Sequence, residues 1–371
     1  MNEDRASRYH RLHRRALLIW AIAGLAAAVG LIAGGGSRLL RDGVVAVTGA
    51  GSSSPSTVAL YALALALAYH ALLLPLAAYQ GFVLERRYGL GATRFSTWLI
   101  DFVKAAAIIT AIAVTAAVLV YLTMSWWPRG WWIASAFCFA AALLGLARVL
   151  PVIVLPLFYR IKPLEREALR SRLQALCERA RVPVPGMYVW GLGDKSRRAN
   201  AALVGTGSTR RILLSDTLLA DYSEDEIEVI LAHELGHHVH ADMRTGLLLE
   251  FIRIALCFAA GALVLGTVWA RFRLSGPADV AGLPLLFAAG ALVSGATGLA
   301  LKAWSRRNER RADEFALALT GRPDAFMSAM RRLSTQNLAE ERPSRAALWF
   351  FHTHPPIEQR IESARRFGPM S

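Results

Sequence analysis

Residues 232–270 read AHELGHHVHADMRTGLLLEFIRIALCFAAGALVLGTVWA. Two kinds of segment meet here. The first six residues set His233 and His237 four apart with Glu234 between them. On a helix, residues four apart share a face. From Gly246 to Ala270 the chain is apolar, broken only near its start by Glu250 and Arg253. Crossing a bilayer takes about 20 such residues. A chemistry-bearing helix is thus delivered directly onto a membrane span.

Five more runs of that kind lie outward from this junction: Ala16 to Gly35, Thr57 to Gln80, Ala105 to Met124, Trp131 to Tyr159 (interrupted by Arg148), and Val280 to Leu301. The chain is 55% hydrophobic and 19% charged over 371 residues, too apolar for an ordinary soluble domain. A secretory signal peptide would also follow an Arg-rich start, but the first run is long and five others follow it. His70, Arg148, Glu250 and Arg253 are the polar residues inside spans. Such groups avoid lipid and could line a cavity. Glu250 and Arg253 also suit an i,i+3 pair near the membrane boundary.

The net charge of +15 raises the question of nucleic acid. Its distribution answers it. Arg5, Arg8, Arg11, Arg14 and Arg15 precede the first span, while the next loop has only Arg38 and Arg41 beside Asp42. Arg86, Arg87, Arg94 and Lys104 follow the second span, and Arg129 stands alone after the third. Rich and poor loops alternate as the positive-inside rule requires. Six spans then put both termini and both long polar regions in the cytoplasm. In a bacterial cell this is the inner membrane. The basic excess serves topology and anionic lipid, and nucleic acid is excluded as a partner. Cys138, Cys177 and Cys257 have no metal-ligand spacing and read as small apolar fillers.

The expected fold class is mainly α: a polytopic helical membrane protein with a cytoplasmic α+β domain. Its parts are a four-span region (1–159), a polar insertion (160–245), a two-span hairpin (246–303) and a polar tail (304–371). Gly49 to Pro55 reads as a flexible outer loop. In the insertion, a charged amphipathic helix runs from Leu164 to about Arg181, and Pro183 and Pro185 end it. Strands are expected at Met187–Trp190, Ala201–Val204 and Ile212–Leu214, with residues 205–209 as a hairpin loop between the last two. Ser223 and Glu226 form a capping box that starts the next helix.

That helix carries His233 and His237, two imidazoles able to grip one metal, with Glu234 placed to take a proton from water. Zinc suits imidazole ligands and acts as a Lewis acid without redox chemistry. A catalytic site needs a third protein ligand. His238 and His240 lie on other faces of the helix. Glu309, in Asn308-Glu-Arg-Arg-Ala-Asp313, is the better candidate, with Asp313 one turn on to orient a ligand histidine. Read alone, this pair equally fits a charged helix beyond a membrane span. The two-span hairpin favours the site, because it returns Glu309 to the membrane face that holds His233.

The chain resembles the integral-membrane CAAX prenyl endopeptidases, zinc proteases of the gluzincin type. The resemblance rests on Ala232-His-Glu-Leu-Gly-His237, Glu309 with Asp313, and Phe351-His-Thr-His354-Pro-Pro-Ile-Glu-Gln-Arg360. It extends to Asn200-Ala-Ala-Leu-Val-Gly205, to Arg210 through Asp216, and to Glu85-Arg-Arg-Tyr-Gly-Leu90 with Trp98 through Lys104. It implies His233, His237 and Glu309 as zinc ligands, Glu234 as base, and His354 and Arg360 as donors to the oxyanion or substrate backbone. It also implies Asn200 and Ala201 as part of an edge strand that receives extended peptide. Eukaryotic members carry a seventh span, one more than counted here, which leaves their enclosed chamber an open question for this chain. Asp242 stands where many members have histidine, which implies that it is dispensable to the metal. The implied substrate is a peptide or protein, prenylated and membrane-bound. Broad proteolysis of membrane proteins shares the same chemistry, and a structural zinc in a non-enzymatic membrane protein is the remaining alternative.

Overall fold

The computed structural model describes residues 4–149, 153–205 and 209–367. Six helices are long and apolar enough to cross a membrane: Arg5–Ala33, Pro55–Arg87, Phe95–Trp126, Trp131–Val149, Asp242–Val268 and Val280–Thr320. Each covers most of one expected run. Several outlast their runs because the flanking charged residues are good helix formers and continue the same hydrogen-bond ladder. The fourth run was expected to reach Tyr159. Its helix is described as far as Val149, helical residues resume before the short helix Leu155–Phe158, and residues 150–152 lie outside the described residues.

Principal contacts between spans run from each to the next in sequence, and the sixth packs back on the first. The bundle therefore closes as a ring. The ring ends converge on one apolar core that includes Ile32, Tyr61, Val120, Tyr121, Trp131, Leu265 and Val280. A helix not foreseen in the sequence, Gly36–Thr48, helps close this end. It follows the left-handed Gly35 (φ 76°), a conformation that costs glycine little. Its Ser37 hydroxyl donates to the Ala281 carbonyl at 2.6 Å. Buried Asp279 anchors the same end. It accepts from Ser275 N at 2.8 Å and Ala281 N at 3.0 Å, and it is paired with Arg41.

At the other end of the ring sits a small α+β unit with its own core, drawn from Leu169, Leu173, Ile212, Leu214, Ile227, Leu231 and Phe326. Its sheet has four strands: β1 (Ile161–Pro163), β2 (Gly186–Trp190), β3 (Ala201–Val204) and β4 (Arg211–Ser215), in the order β1-β2-β4-β3. β2 and β4 are parallel, while β3 pairs antiparallel with β4 and forms an edge. Three strands lie where expected. β1 was missed, since three residues carry no readable alternation. Part of the expected hairpin loop, 206–208, lies outside the described residues.

Glu309 rides on the sixth span itself. From Leu283 to Thr320 the helix is unbroken, so span and site share one rigid element. The N-terminal helix is tied to this end as well. Arg5 donates to the Tyr88 carbonyl at 2.7 Å, and the His10 ring lies 2.7 Å from the Leu338 carbonyl. Within the spans, Arg253 Nε donates to Glu250 at 2.8 Å, the i,i+3 pair read in the sequence, and Arg253 also reaches Ser294 at 2.9 Å.

Removing the Asp279 carboxylate would leave Arg41 with only the exposed Asp42 and the Ser275 and Ala281 amides without their acceptor. Asp279→Ala is expected to destabilise the fold by about 3 kcal/mol, the typical cost of breaking a buried ion pair from one side. A lowered unfolding temperature in detergent, with the metal content of the folded fraction unchanged, is the expected result.

Candidate metal centre

The helix Glu224–Val239 begins at the expected capping box. Ser223 Oγ accepts from the Glu226 amide at 3.3 Å, and the Glu226 carboxylate accepts from Ser223 N at 2.8 Å. Three acidic residues in its first turn favour the positive end of the helix dipole. Most of this helix from Glu226 to Gly236 is buried. It crosses the long sixth-span helix at Gly236. A Cβ there would lie 3.0 Å from Ala312 Cα, tighter than most such contacts, so glycine favours so close a crossing. That approach brings the two imidazoles within reach of Glu309.

His233 Nε2 is 3.3 Å from Glu309 Oε2, and His237 Nε2 is 3.3 Å from Glu309 Oε1. Donor atoms of the three residues all lie within 4.8 Å of one another. The opposite nitrogen of each ring is held by a carboxylate. His233 Nδ1 meets Asp313 at 2.9 Å, and His237 Nδ1 meets Asp242 at 2.9 Å. Each carboxylate is held in turn by an arginine. Arg360 forks onto Asp313 at 2.8 and 2.6 Å, and Arg311 donates to Asp242 at 3.0 Å. With Nδ1 engaged, each ring presents Nε2 to the space beside Glu309. Glu309 Oε2 is buried there without a well-aligned hydrogen bond, although the His354 ring nitrogen lies 2.6 Å away. Two imidazole nitrogens and a carboxylate oxygen with an unused lone pair suit a divalent transition metal.

Electrostatics follow from this packing. Burial lowers the pKa of His233, but the hydrogen bonds to Asp313 and Glu309 outweigh it and raise it to about 9. Burial lowers His237 too, but its bonds to Glu309 and Asp242 and the Glu309 charge together outweigh it and raise the pKa. Burial pushes the Glu234 carboxyl up, against the pull of the two imidazoles. A carboxyl above its ordinary range is better matched to taking and returning a proton.

The remaining sequence candidates separate. His354 is 61% exposed by its side chain and faces Glu309, open to an incoming molecule. Arg360 was expected against substrate. The structure places it on the Nδ1 side of His233, buried against Asp313. Asn200 exchanges two bonds with Ser215: its amide donates to Oγ and its carbonyl accepts from Ser215 N, both at 2.9 Å. Ala201 opens the edge strand β3, which packs beside the motif helix. His238 and His240 stay outside the donor cluster.

The sequence reading set Asp242 aside as dispensable; the structure places its carboxylate on His237. The signal was faint, because Ala241 has φ 56° and turns the chain between the two helices. A left-handed alanine is uncommon and has no sequence mark. Arg306 was missed too. Its guanidinium donates to the carbonyls of Leu348 at 3.1 Å and His352 at 2.7 Å, holding the turn that carries His354. Its place three residues before Glu309 was the available clue.

A buried cluster of two imidazoles and a carboxylate, with a glutamate beside it and a helix running on into a membrane bundle, defines an integral-membrane metalloprotease. Residues 163–367 match the profile of peptidase family M48, and the chain belongs to that family. Residues 3–160 match the profile described as the CAAX prenyl protease N-terminal region with five membrane helices. In this chain the matched stretch holds four helices of spanning length together with the shorter Gly36–Thr48. An uncharacterized metalloprotease of Bacillus subtilis, YhfN, is 28% identical over 294 residues, which is 77% of this chain and 68% of that protein. CAAX prenyl protease 1 of Saccharomyces cerevisiae is 33% identical over 166 residues, 44% of this chain and 36% of that one. The crystal structure of S. mikatae Ste24p shares the fold, with a TM-score of 0.83 at 22% identity, covering 97% of this chain and 87% of that chain.

Asp242→Asn should weaken metal binding by about 10- to 100-fold, the usual effect of losing a carboxylate behind a ligand histidine. Competition with a chromogenic chelator measures it. Unchanged affinity in a folded variant would show that His237 needs no such support.

Proposed function

We propose that the chain is a zinc endopeptidase in which His233, His237 and Glu309 hold the metal and Glu234 is the general base. The observation that carries this reading is the convergence of both Nε2 atoms on Glu309 while both Nδ1 atoms are tied to carboxylates. Among the described residues the cluster has three members, which supports a fourth position left open, as in catalytic zinc sites. Bound zinc would supply Lewis acidity, polarising the scissile carbonyl and acidifying water. Glu234 takes the proton from the attacking water and delivers it to the leaving amine. His354, exposed beside Glu309, donates to the oxyanion. Arg360 serves as a positioning residue, holding Asp313 against His233.

Peptide would enter along β3. In an antiparallel pair, successive residues face the partner and the open edge in turn. Asn200 bonds across to Ser215, so Ala201 and Leu203 direct their backbone groups to the open side. Strand addition there binds substrate backbone without demanding particular side chains. The substrate class we propose is a prenylated protein trimmed at its C-terminus. Its support is the membrane bundle that carries the site and the N-terminal match to the CAAX protease profile. An enzyme in the bilayer meets a lipid-anchored substrate in two dimensions rather than three. Alternating basic loops support a cytoplasmic placement of both termini and the site.

Glu234→Gln should keep its metal and lose cleavage by about 10²- to 10⁴-fold. Metal analysis and a peptidase assay on the same preparation check this, and full proteolysis by the variant would remove Glu234 from the mechanism. Chelation should abolish cleavage and zinc should restore it. A farnesylated peptide should be cut well ahead of its unprenylated twin; equal rates would indicate broad proteolysis of membrane proteins instead.

A further inference from the structure

The open edge of β3 stops at Ala199. Asn200 turns its amide and carbonyl to Ser215, so its neighbours Ala199 and Ala201 turn theirs to the other side. At Ala199 that side is already taken. Its amide donates to Asn337 Oδ1 at 3.0 Å, and its carbonyl accepts from Asn337 Nδ2 at 3.1 Å. A residue on an adjoining antiparallel strand exchanges the same two bonds with the residue it faces. The Asn337 carboxamide therefore stands where the backbone of an added strand would lie. Gln336 extends the cover, its Nε2 donating to the Arg197 carbonyl at 3.0 Å. Among the described residues no side chain bonds to the backbone of Ala201 or Leu203, so the edge is closed at Ala199 and free beyond it.

Asn337 is the first residue after the helix Pro323–Gln336, and it is held from several directions. Its amide donates to the Leu333 carbonyl at 2.9 Å. Leu338 follows with φ 50°, a left-handed conformation uncommon for a residue with a side chain. The His10 ring, 2.7 Å from the Leu338 carbonyl, pins that turn from the N-terminal helix. A peptide added to β3 pairs at Leu203 and Ala201 and then meets Asn337. Two residues of strand rise about 6.8 Å, so little chain fits past Ala201. Antiparallel addition, the more stable pairing per residue, points the C-terminal end of the peptide toward Ala199. We propose that Asn337 is the end-stop of the substrate strand: it closes the edge at Ala199 and so limits how many residues follow the scissile bond. The assignment rests on the proposed function and deepens it, from a peptidase to one that cuts near a chain end.

The test uses the full-length, zinc-loaded protein and two farnesylated peptides, identical up to the cut, with about three or about eight residues beyond it. Extended, these segments reach about 10 Å and about 28 Å. The unsubstituted protein should cut the short form about ten- to hundred-fold better in kcat/KM, the discrimination that one misfit in a binding site provides. N337A should open the edge and bring the ratio within about threefold, chiefly by lowering KM for the long peptide. N337L, of similar bulk, should keep the preference. The same order should appear in binding of both peptides to Glu234→Gln protein. Metal content and unfolding temperature identify folded variants, and N337S serves where N337A is not among them. Equal cleavage of both peptides by the unsubstituted protein overturns the end-stop and leaves the peptidase standing. A preference that survives in folded N337A or N337S overturns it as well. Equal loss of preference in N337A and N337L marks a structural clasp and also overturns it. Cleavage of neither peptide, with metal bound, sinks the proposed function and the end-stop together.

Discussion

Gly236 against Ala312 is the contact on which the site depends. Helix axes usually pass 8–10 Å apart, and the spacing is set by the side chains at the crossing. Here one of the two helices offers none, and the backbones meet. The motif helix brings two imidazoles to this crossing and the sixth span brings a carboxylate. Because Leu283 to Thr320 is one helix, the position of the carboxylate is referred directly to the membrane bundle. A Cβ at position 236 would press the two helices apart by a few tenths of an ångström and loosen the convergence of the imidazoles on Glu309.

Behind the crossing, the two histidines are held in the same way. Each has a carboxylate on Nδ1 and an arginine on the carboxylate. Neither carboxylate would be stable in that depth unpaired, since a lone buried charge costs several kcal/mol. The arginines remove that cost, and the carboxylates select one ring tautomer. The two supports come from different places. Arg360 arrives from the last helix, while Asp242 comes from the start of the fifth span and Arg311 from the sixth-span helix that carries Glu309. The cluster is thus braced from three separate elements of the C-terminal half of the chain, and the last helix is needed to complete it.

The bundle sets where this chemistry occurs. Its spans close as a ring, pinned at one end by the Asp279 network and covered at the other by the α+β unit. The N-terminal helix is tied to the end of the second span through Tyr88 and to the catalytic segments through Leu338, so the bundle and those segments are knit at more than one level. The lipid-anchored substrate proposed above would share one two-dimensional phase with a site bound to the bundle.

Much of this was legible in the chain. Runs of about twenty apolar residues have few alternatives to a membrane helix, because unpaired backbone groups are so costly in lipid. The spacing of His233 and His237, and the Ser223–Glu226 cap, are local patterns that short-range geometry enforces. Membrane architecture, family and the main site candidates were therefore determined by sequence alone. The tertiary structure decided which partners each candidate meets. Arg360 went to Asp313 instead of the open side, Asp242 turned back to His237 through a left-handed alanine, and Arg306 took hold of the His354 turn. These contacts join residues far apart in the chain, or follow a single uncommon φ value. Composition and periodicity carry no trace of them, because they arise only when the helices have packed.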